Sequence, residues 1–82
     1  MLIVGQNKRA VVNLKKVVVI GKAERQIHAE NKDYNIALGE YTTEKQASDV
    51  LMKICKCYEY FCQGENNAVY EMPADEGEEY NG

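Results

Sequence analysis

The sequence has no tryptophan, one phenylalanine, one proline and one histidine. A single histidine excludes any mechanism that needs two, and one proline excludes a proline-rich linker or ligand segment. No apolar run approaches the roughly 20 residues that span a bilayer. Residues 1–20 also lack the basic start, greasy middle and small-residue cleavage site of a signal peptide, so a soluble cytoplasmic protein without a membrane partner is expected. Charge is missing locally too. Residues 1–23 contain no acid but hold Lys8, Arg9, Lys15, Lys16 and Lys22, whereas residues 74–82 contain no base but hold Asp75, Glu76, Glu78 and Glu79.

What is present is an ordinary globular composition, 45% hydrophobic and 28% charged over 82 residues, which excludes a fully disordered chain. One small domain fits this length, and so small a core invites supplementation by a second subunit. The first forty residues read as strands, because β-branched residues cluster between turn formers. Leu2 to Gly5 and Ala10 to Val12 form a hairpin about Gln6-Asn7-Lys8. Val17 to Ile20 reads as a strand covered on both faces, or one beside a bulge, placed centrally in the sheet. Ile27 and Ala29, then Tyr34, Ile36 and Leu38, alternate with polar residues across an Asn31-Lys32-Asp33 turn, giving a second hairpin with one dry face.

At Thr43 the period changes from 2 to 3.6. Thr43-Glu44-Lys45-Gln46 is a capping box, in which Gln46 can reach back to the Thr43 amide. The helix it starts would run to Gly64, with Ala47, Leu51, Ile54, Cys55, Tyr58, Phe61 and Cys62 on its buried stripe. Residues 68–72 would add a short last strand before Pro73. The expected fold is therefore α+β: a mostly antiparallel sheet of hairpins, one long helix across it, a domain over residues 1–73 and a flexible acidic tail over 74–82.

Cys55, Cys57 and Cys62 with His28 invite a metal reading, but the spacing opposes it. Cys55 and Cys62 lie about 10 Å apart along a helix and Cys57 points to the other side, so neither a tetrahedral site nor a local disulfide forms. They read as small buried hydrophobes, with Cys57 at the surface. His28 stands on a polar strand face and reads as solvated. The acids form no rigidly spaced pair for acid–base work, so no catalytic residue, metal or cofactor is expected.

Six tyrosines are the unusual feature. Tyr34 and Tyr58 are expected in the core, while Tyr41, Tyr60, Tyr70 and Tyr80 have weaker claims on it and suit an interface or the capping of a sheet edge. Tyr60, Cys57 and Lys53, flanked by Met52, form a second, narrower stripe on the outer helix face. With Tyr41 they are the candidate interface for another subunit or a target. Lys8, Arg9, Lys15, Lys16 and Lys22 are candidate contacts for a small anion such as a nucleotide. Alternation and turns spread them, and no aromatic is interleaved to stack on bases, so specific nucleic-acid binding is not expected. A solvated edge that discourages strand aggregation is the plainer reading.

Leu2-Ile3-Val4, Val12-Asn13-Leu14, Leu38-Gly39-Glu40-Tyr41-Thr42-Thr43 running into Ala47 to Ile54, and Ala68-Val69-Tyr70-Glu71-Met72-Pro73 together resemble small proteins of phages, prophages and mobile elements of Gram-positive bacteria. The resemblance covers most of residues 1–73 and brings no catalytic motif to transfer. It implies an accessory protein in the bacterial host cytoplasm that acts by binding, for example by blocking a host defence component or sequestering a signalling nucleotide. The alternative is a small homo-oligomeric structural or regulatory domain.

Overall fold

A computed structural model describes residues 1–17, 19–61 and 69–80, the side chains of Tyr60 and Phe61 aside. The chain is α+β. In order it forms β1 (Leu2–Val4), β2 (Val11–Asn13), a 3₁₀ turn (Leu14–Lys16), β3 (Val19–Ala23), β4 (Gln26–Glu30), β5 (Asn35–Glu40), α1 (Glu44–Phe61), β6 (Val69–Glu71) and a second 3₁₀ turn (Gly77–Glu79). The strands divide into two three-stranded sheets, β2-β1-β6 and β3-β4-β5. Every pairing is antiparallel except β1 with β6, which is parallel and sets Ile3 opposite Tyr70. Antiparallel neighbours close through short turns, whereas β6 reaches β1 only after the helix.

Local chemistry explains the turns. Gly5 N–H donates to Ala10 O at 2.7 Å and Lys8 N–H to Gly5 O at 2.9 Å, closing the first hairpin. The positive φ falls on Lys8, at 61°, rather than on Gly5 or Asn7. Asn7 instead accepts from Arg9 N–H, an Asx turn that holds the loop. Asn13 repeats the device by accepting from Lys15 N–H at 3.0 Å, which starts the 3₁₀ turn. A second tight hairpin, with Glu24 at φ 54°, joins β3 to β4 and was not legible because neither Glu24 nor Arg25 is a usual turn former.

The run Val17 to Ile20 does not make a central strand. β3 begins at Val19 and lies at the edge of its sheet, with Val19 exposed; β4 is central. β4 alternates as expected, with Ile27 and Ala29 buried between half-buried polar neighbours. Opposite the Ile27–His28 step of β4, β5 carries one extra residue, Leu38, a bulge at which Leu38 and Gly39 are buried in succession. Tyr34 ends outside the strand and exposed, contrary to its expected core place.

Thr43 caps α1: its Oγ1 accepts from Gln46 N–H at 3.1 Å, a contact worth about 1 kcal/mol. The buried stripe is Ala47, Val50 and Ile54, with Leu51 and Cys57 packed beside it. The centre of this stripe is turned by about 45° from the expected one, at about 100° per residue. Tyr58 is consequently 51% exposed and Cys55 is exposed, while Cys57, expected outside, packs on the core. Cys62, Gly64 and Ala68 lie outside the described residues.

One core joins both sheets to the helix. Met1, Ile3 and Val12 from the first sheet meet Ile27, Ala29 and Leu38 from the second, with Tyr41, Met72 and the α1 stripe. Gln6 staples the sheets together: its N–H donates to Leu38 O, and its side chain donates to Glu40 O and accepts from Glu40 N–H, both at 3.0 Å. The glutamine thereby imitates a paired strand residue. Gly39 lets Tyr41 and Met72 close over β5, since a Cβ there would sit 3.1 Å from the Tyr41 hydroxyl and 3.2 Å from Met72 Cε.

Where a flexible tail is expected, residues 74–80 are hydrogen-bonded to the body of the fold. Asp75 Oδ2 accepts from the Thr42 hydroxyl at 2.6 Å, and its Oδ1 accepts from Thr42 N–H and Gly77 N–H, each at 3.0 Å. Gln46 is only 1% exposed and turns toward this strap instead of toward Thr43. With its amide satisfied at both ends, the oxygen accepts from Glu76 N–H at 3.2 Å and the nitrogen donates to Asp75 Oδ1 at 3.0 Å. Tyr80 donates to Asp49 on α1, and Lys45 pairs with the same carboxylate at 3.1 Å.

Candidate functional site

Two of the candidate interface residues, Tyr41 and Cys57, face the core. Tyr41 is 1% exposed at the centre of the core and donates its hydroxyl hydrogen to Pro73 O at 2.9 Å. Burial first, then the nearby Tyr70 and Asp75, push its hydroxyl well above the ordinary tyrosine range, so it stays a neutral donor. Cys57 faces the core beside Tyr70, whose hydroxyl is also pushed up, chiefly by burial. Met52 and Lys53 remain exposed on the helix, and the Tyr60 side chain lies outside the described residues.

The basic candidates divide differently. Lys8 and Arg9 occupy the turn before β2, and Lys15 and Lys16 occupy the 3₁₀ turn after it, all four exposed. Lys22 belongs to the other sheet and folds back to donate to Glu24 O at 2.9 Å. Four of the five therefore bracket one three-residue strand, an arrangement hidden in the sequence because β2 is so short. His28, half-buried, lays its ring over Gly21 of the paired strand, 3.3 Å from where a Cβ would be. That contact is a packing role rather than a solvated one.

Between the two sheets lies a groove of about 440 Å³, lined by Val11, Val12, Asn13 and Lys16 on one side and Asn31, Tyr34, Asn35 and Ile36 on the other. Its volume falls within the roughly 300–1,000 Å³ range of small-ligand sites. Both walls are strand edges, because among the described residues β2 and β5 are each the outermost strand of their sheet. Asn31 Nδ2 donates to Lys16 O at 2.9 Å and ties the walls together at one end.

Hydrogen-bond phase decides which backbone groups the edges present. Gly5 N–H donates to Ala10 O and Leu14 N–H donates to Met1 O, so residues 10, 12 and 14 face β1. The N–H and C=O of Val11 and the N–H of Asn13 therefore point away from β1, alternate residues of a strand facing opposite ways. Across the groove Asn31 N–H donates to Tyr34 O, which places the backbone of Asn35 on the side away from β4. The valine side chains add apolar surface: Val11 is 58% exposed and Tyr34, opposite, is 39% exposed. Such a site offers strand-like hydrogen bonds and apolar contact, with a single charged side chain, Lys16, in its lining.

A smaller recess of about 170 Å³ lies beside the Gln6 staple, lined by Asn7, Gln26, Ala37 and Glu40 among others. Its acid opposes the anion reading. Among the described residues no helix is long and apolar enough to cross a membrane. Comparison with protein-family models, with curated proteins and with solved structures finds no match.

Proposed function

We propose that this protein is a non-catalytic binding module, and that the groove between β2 and β5 is its contact surface. The carrying observation is the composition of that groove: two open strand edges, two valines, an isoleucine, a tyrosine and amides, converging with one lysine. This set suits contact with another polypeptide better than the phosphates of a nucleotide, which ask for several converging donors or cations. The resemblance to mobile-element proteins supplies the setting, an accessory protein of phage type that occupies a protein of the host antiviral machinery and thereby inhibits it. The alternative, a self-associating accessory domain built on the Tyr60 stripe, draws less support, because Cys57 of that stripe packs on the core and Tyr41, the candidate interface residue off the helix, is buried.

The test is capture from a lysate of a Gram-positive host with the tagged full chain and with a Tyr34→Asp variant, which places a charge on the groove wall at an exposed position. The reading expects a specific protein retained by the first and lost from the second. Retention of no protein, or equal retention by both, counts against it. A nucleotide released on denaturing the purified chain would favour the ligand version over the protein version.

A further inference from the structure

We infer that the free edge of β2 takes an extended acidic-flanked peptide as an added strand: three to five residues paired along Val11–Asn13, with Asp or Glu at both ends of the paired stretch. This rests on the binding-module reading and specifies its partner. The pairing capacity is the outward Val11 N–H and C=O and the outward Asn13 N–H, beside the exposed Val11 side chain. Strand addition to such an edge draws affinity from backbone hydrogen bonds and selectivity from alternate side chains and end charges.

The end charges select the occupant. Lys8 and Arg9 precede β2 and Lys15 and Lys16 follow it, so cations stand at both ends of a stretch no longer than about 20 Å. A second copy pairing antiparallel through β2 would set Lys8 and Arg9 of one protomer against Lys15 and Lys16 of the other. Like charges opposed in this way destabilise the pair, which blunts self-association through the edge. An acidic-flanked strand meets opposite charge at both ends in either direction of pairing. The acids near the opposite wall do not cancel this: Glu30 accepts from Asn35 Nδ2 at 3.3 Å, and Asp33 sits in its turn beside Lys32, with its N–H bonded to Asn31.

The probe is a nine-residue peptide with an alternating Val/Thr centre of five residues and two acids at each end, titrated into the isotopically labelled full chain and followed by amide NMR. A Lys-ended version of the same centre is the control. Expected are shifts centred on Val11, Asn13 and Asn35, and affinity about tenfold weaker for the Lys-ended peptide or for the Lys15→Glu/Lys16→Glu chain. Val11→Pro removes the outward N–H while leaving the bonds to β1, since proline is tolerated on the outer side of an edge strand, and should abolish binding. The charge-reversed chain serves where the proline variant fails to fold. Equal affinity for both peptides, shifts elsewhere, edge signals that broaden with protein concentration alone, or displacement of the peptide by single-stranded nucleic acid would each overturn the inference. If a host protein is captured in a Tyr34-dependent way yet the peptide does not compete for it, strand addition fails and the binding reading stands. If nothing is captured, that reading itself has failed.

Discussion

The acidic strap at residues 75–80 and the basic flanks of β2 are the two charge-rich regions of the chain, and they differ in what their polar groups face. Asp75 is engaged by Thr42 and Gly77, Glu76 N–H by Gln46, and Tyr80 by Asp49, all within the molecule. Lys8, Arg9, Lys15 and Lys16 point to solvent around an open edge. Opposite charges at the two ends of the sequence thus do different work. Asp75 and the Glu76 amide hold the strap to Thr42 and to Gln46 of the helix, whereas the bases border the surface available to another chain. Among the described residues the one ion pair, Lys45 with Asp49, belongs to the strap side.

The comparison breaks most severely at Tyr41, which anchors the strap from within the core. Tyr41→Ala should cost about 3–5 kcal/mol, read as a lower urea midpoint, and can unfold so small a domain outright. Tyr41→Phe removes only the bond to Pro73 O and should cost about 1 kcal/mol. Gln46→Ala comes next, at about 1–3 kcal/mol, since it leaves strap groups without their partner beside the helix cap. Hydrogen exchange should then show residues 75–80 opening before β4.

Titration sharpens the contrast. Hydrogen bonds from Thr42, with that from Gly77, hold the Asp75 carboxyl below its ordinary 3.8, and the Tyr80 and Lys45 contacts do the same for Asp49. A carboxyl lowered in the folded state binds fewer protons there than when unfolded. Its stabilisation is therefore present above the unfolded value near 3.8 and lost as pH falls through the folded one. Tyr80 runs the other way, pushed up to about 12 chiefly by its bond to Asp49. Its contribution is complete below pH 10 and lost as pH rises through about 12. Thermal melts should show an acid-side loss that Asp75→Asn flattens, and absorbance titration should find several late tyrosinates, of which Asp49→Asn brings only that of Tyr80 forward.

The smallest effects on stability belong to the basic side. Lys8→Glu, Arg9→Glu, Lys15→Glu and Lys16→Glu should each shift unfolding by no more than about 0.5 kcal/mol while weakening the acidic-flanked peptide. Large stability losses there would mean that these side chains, like the acids, serve the fold. On the helix, Cys55→Ser should be equally silent, whereas Cys57→Ser, on the packed side, should not be.

Much of this was legible at the level of single elements. Thr43 announced the start of α1, and Ile27 and Ala29 announced the dry face of β4, because capping chemistry and alternation act within a few residues. The helix phase was not legible: Cys55 and Tyr58 are as apolar on paper as Val50 and Cys57, and choosing between stripes needs the surface they meet. Tyr41 gave no signal, since it follows a strand end and is buried only because Pro73 and Met72 close over it. The groove was partly visible. Val11, Val12 and Ile36 were marked as strand residues and Lys16 as basic, but their meeting depends on two sheets that pairing, not pattern, separates.

Local spacing set the α+β class, the helix cap and the alternating hairpins, because each arises from residues two to four positions apart, and composition set the opposite charges of the two ends. The tertiary structure decided the parallel pairing of β1 with β6, the division into two sheets, the rotation of the helix, and the different fates of the acids and bases. Those depend on contacts between residues thirty or more positions apart, as between Thr42 and Asp75 or Gln6 and Glu40. Such contacts are selected by how surfaces fit once the elements exist, which no local spacing records.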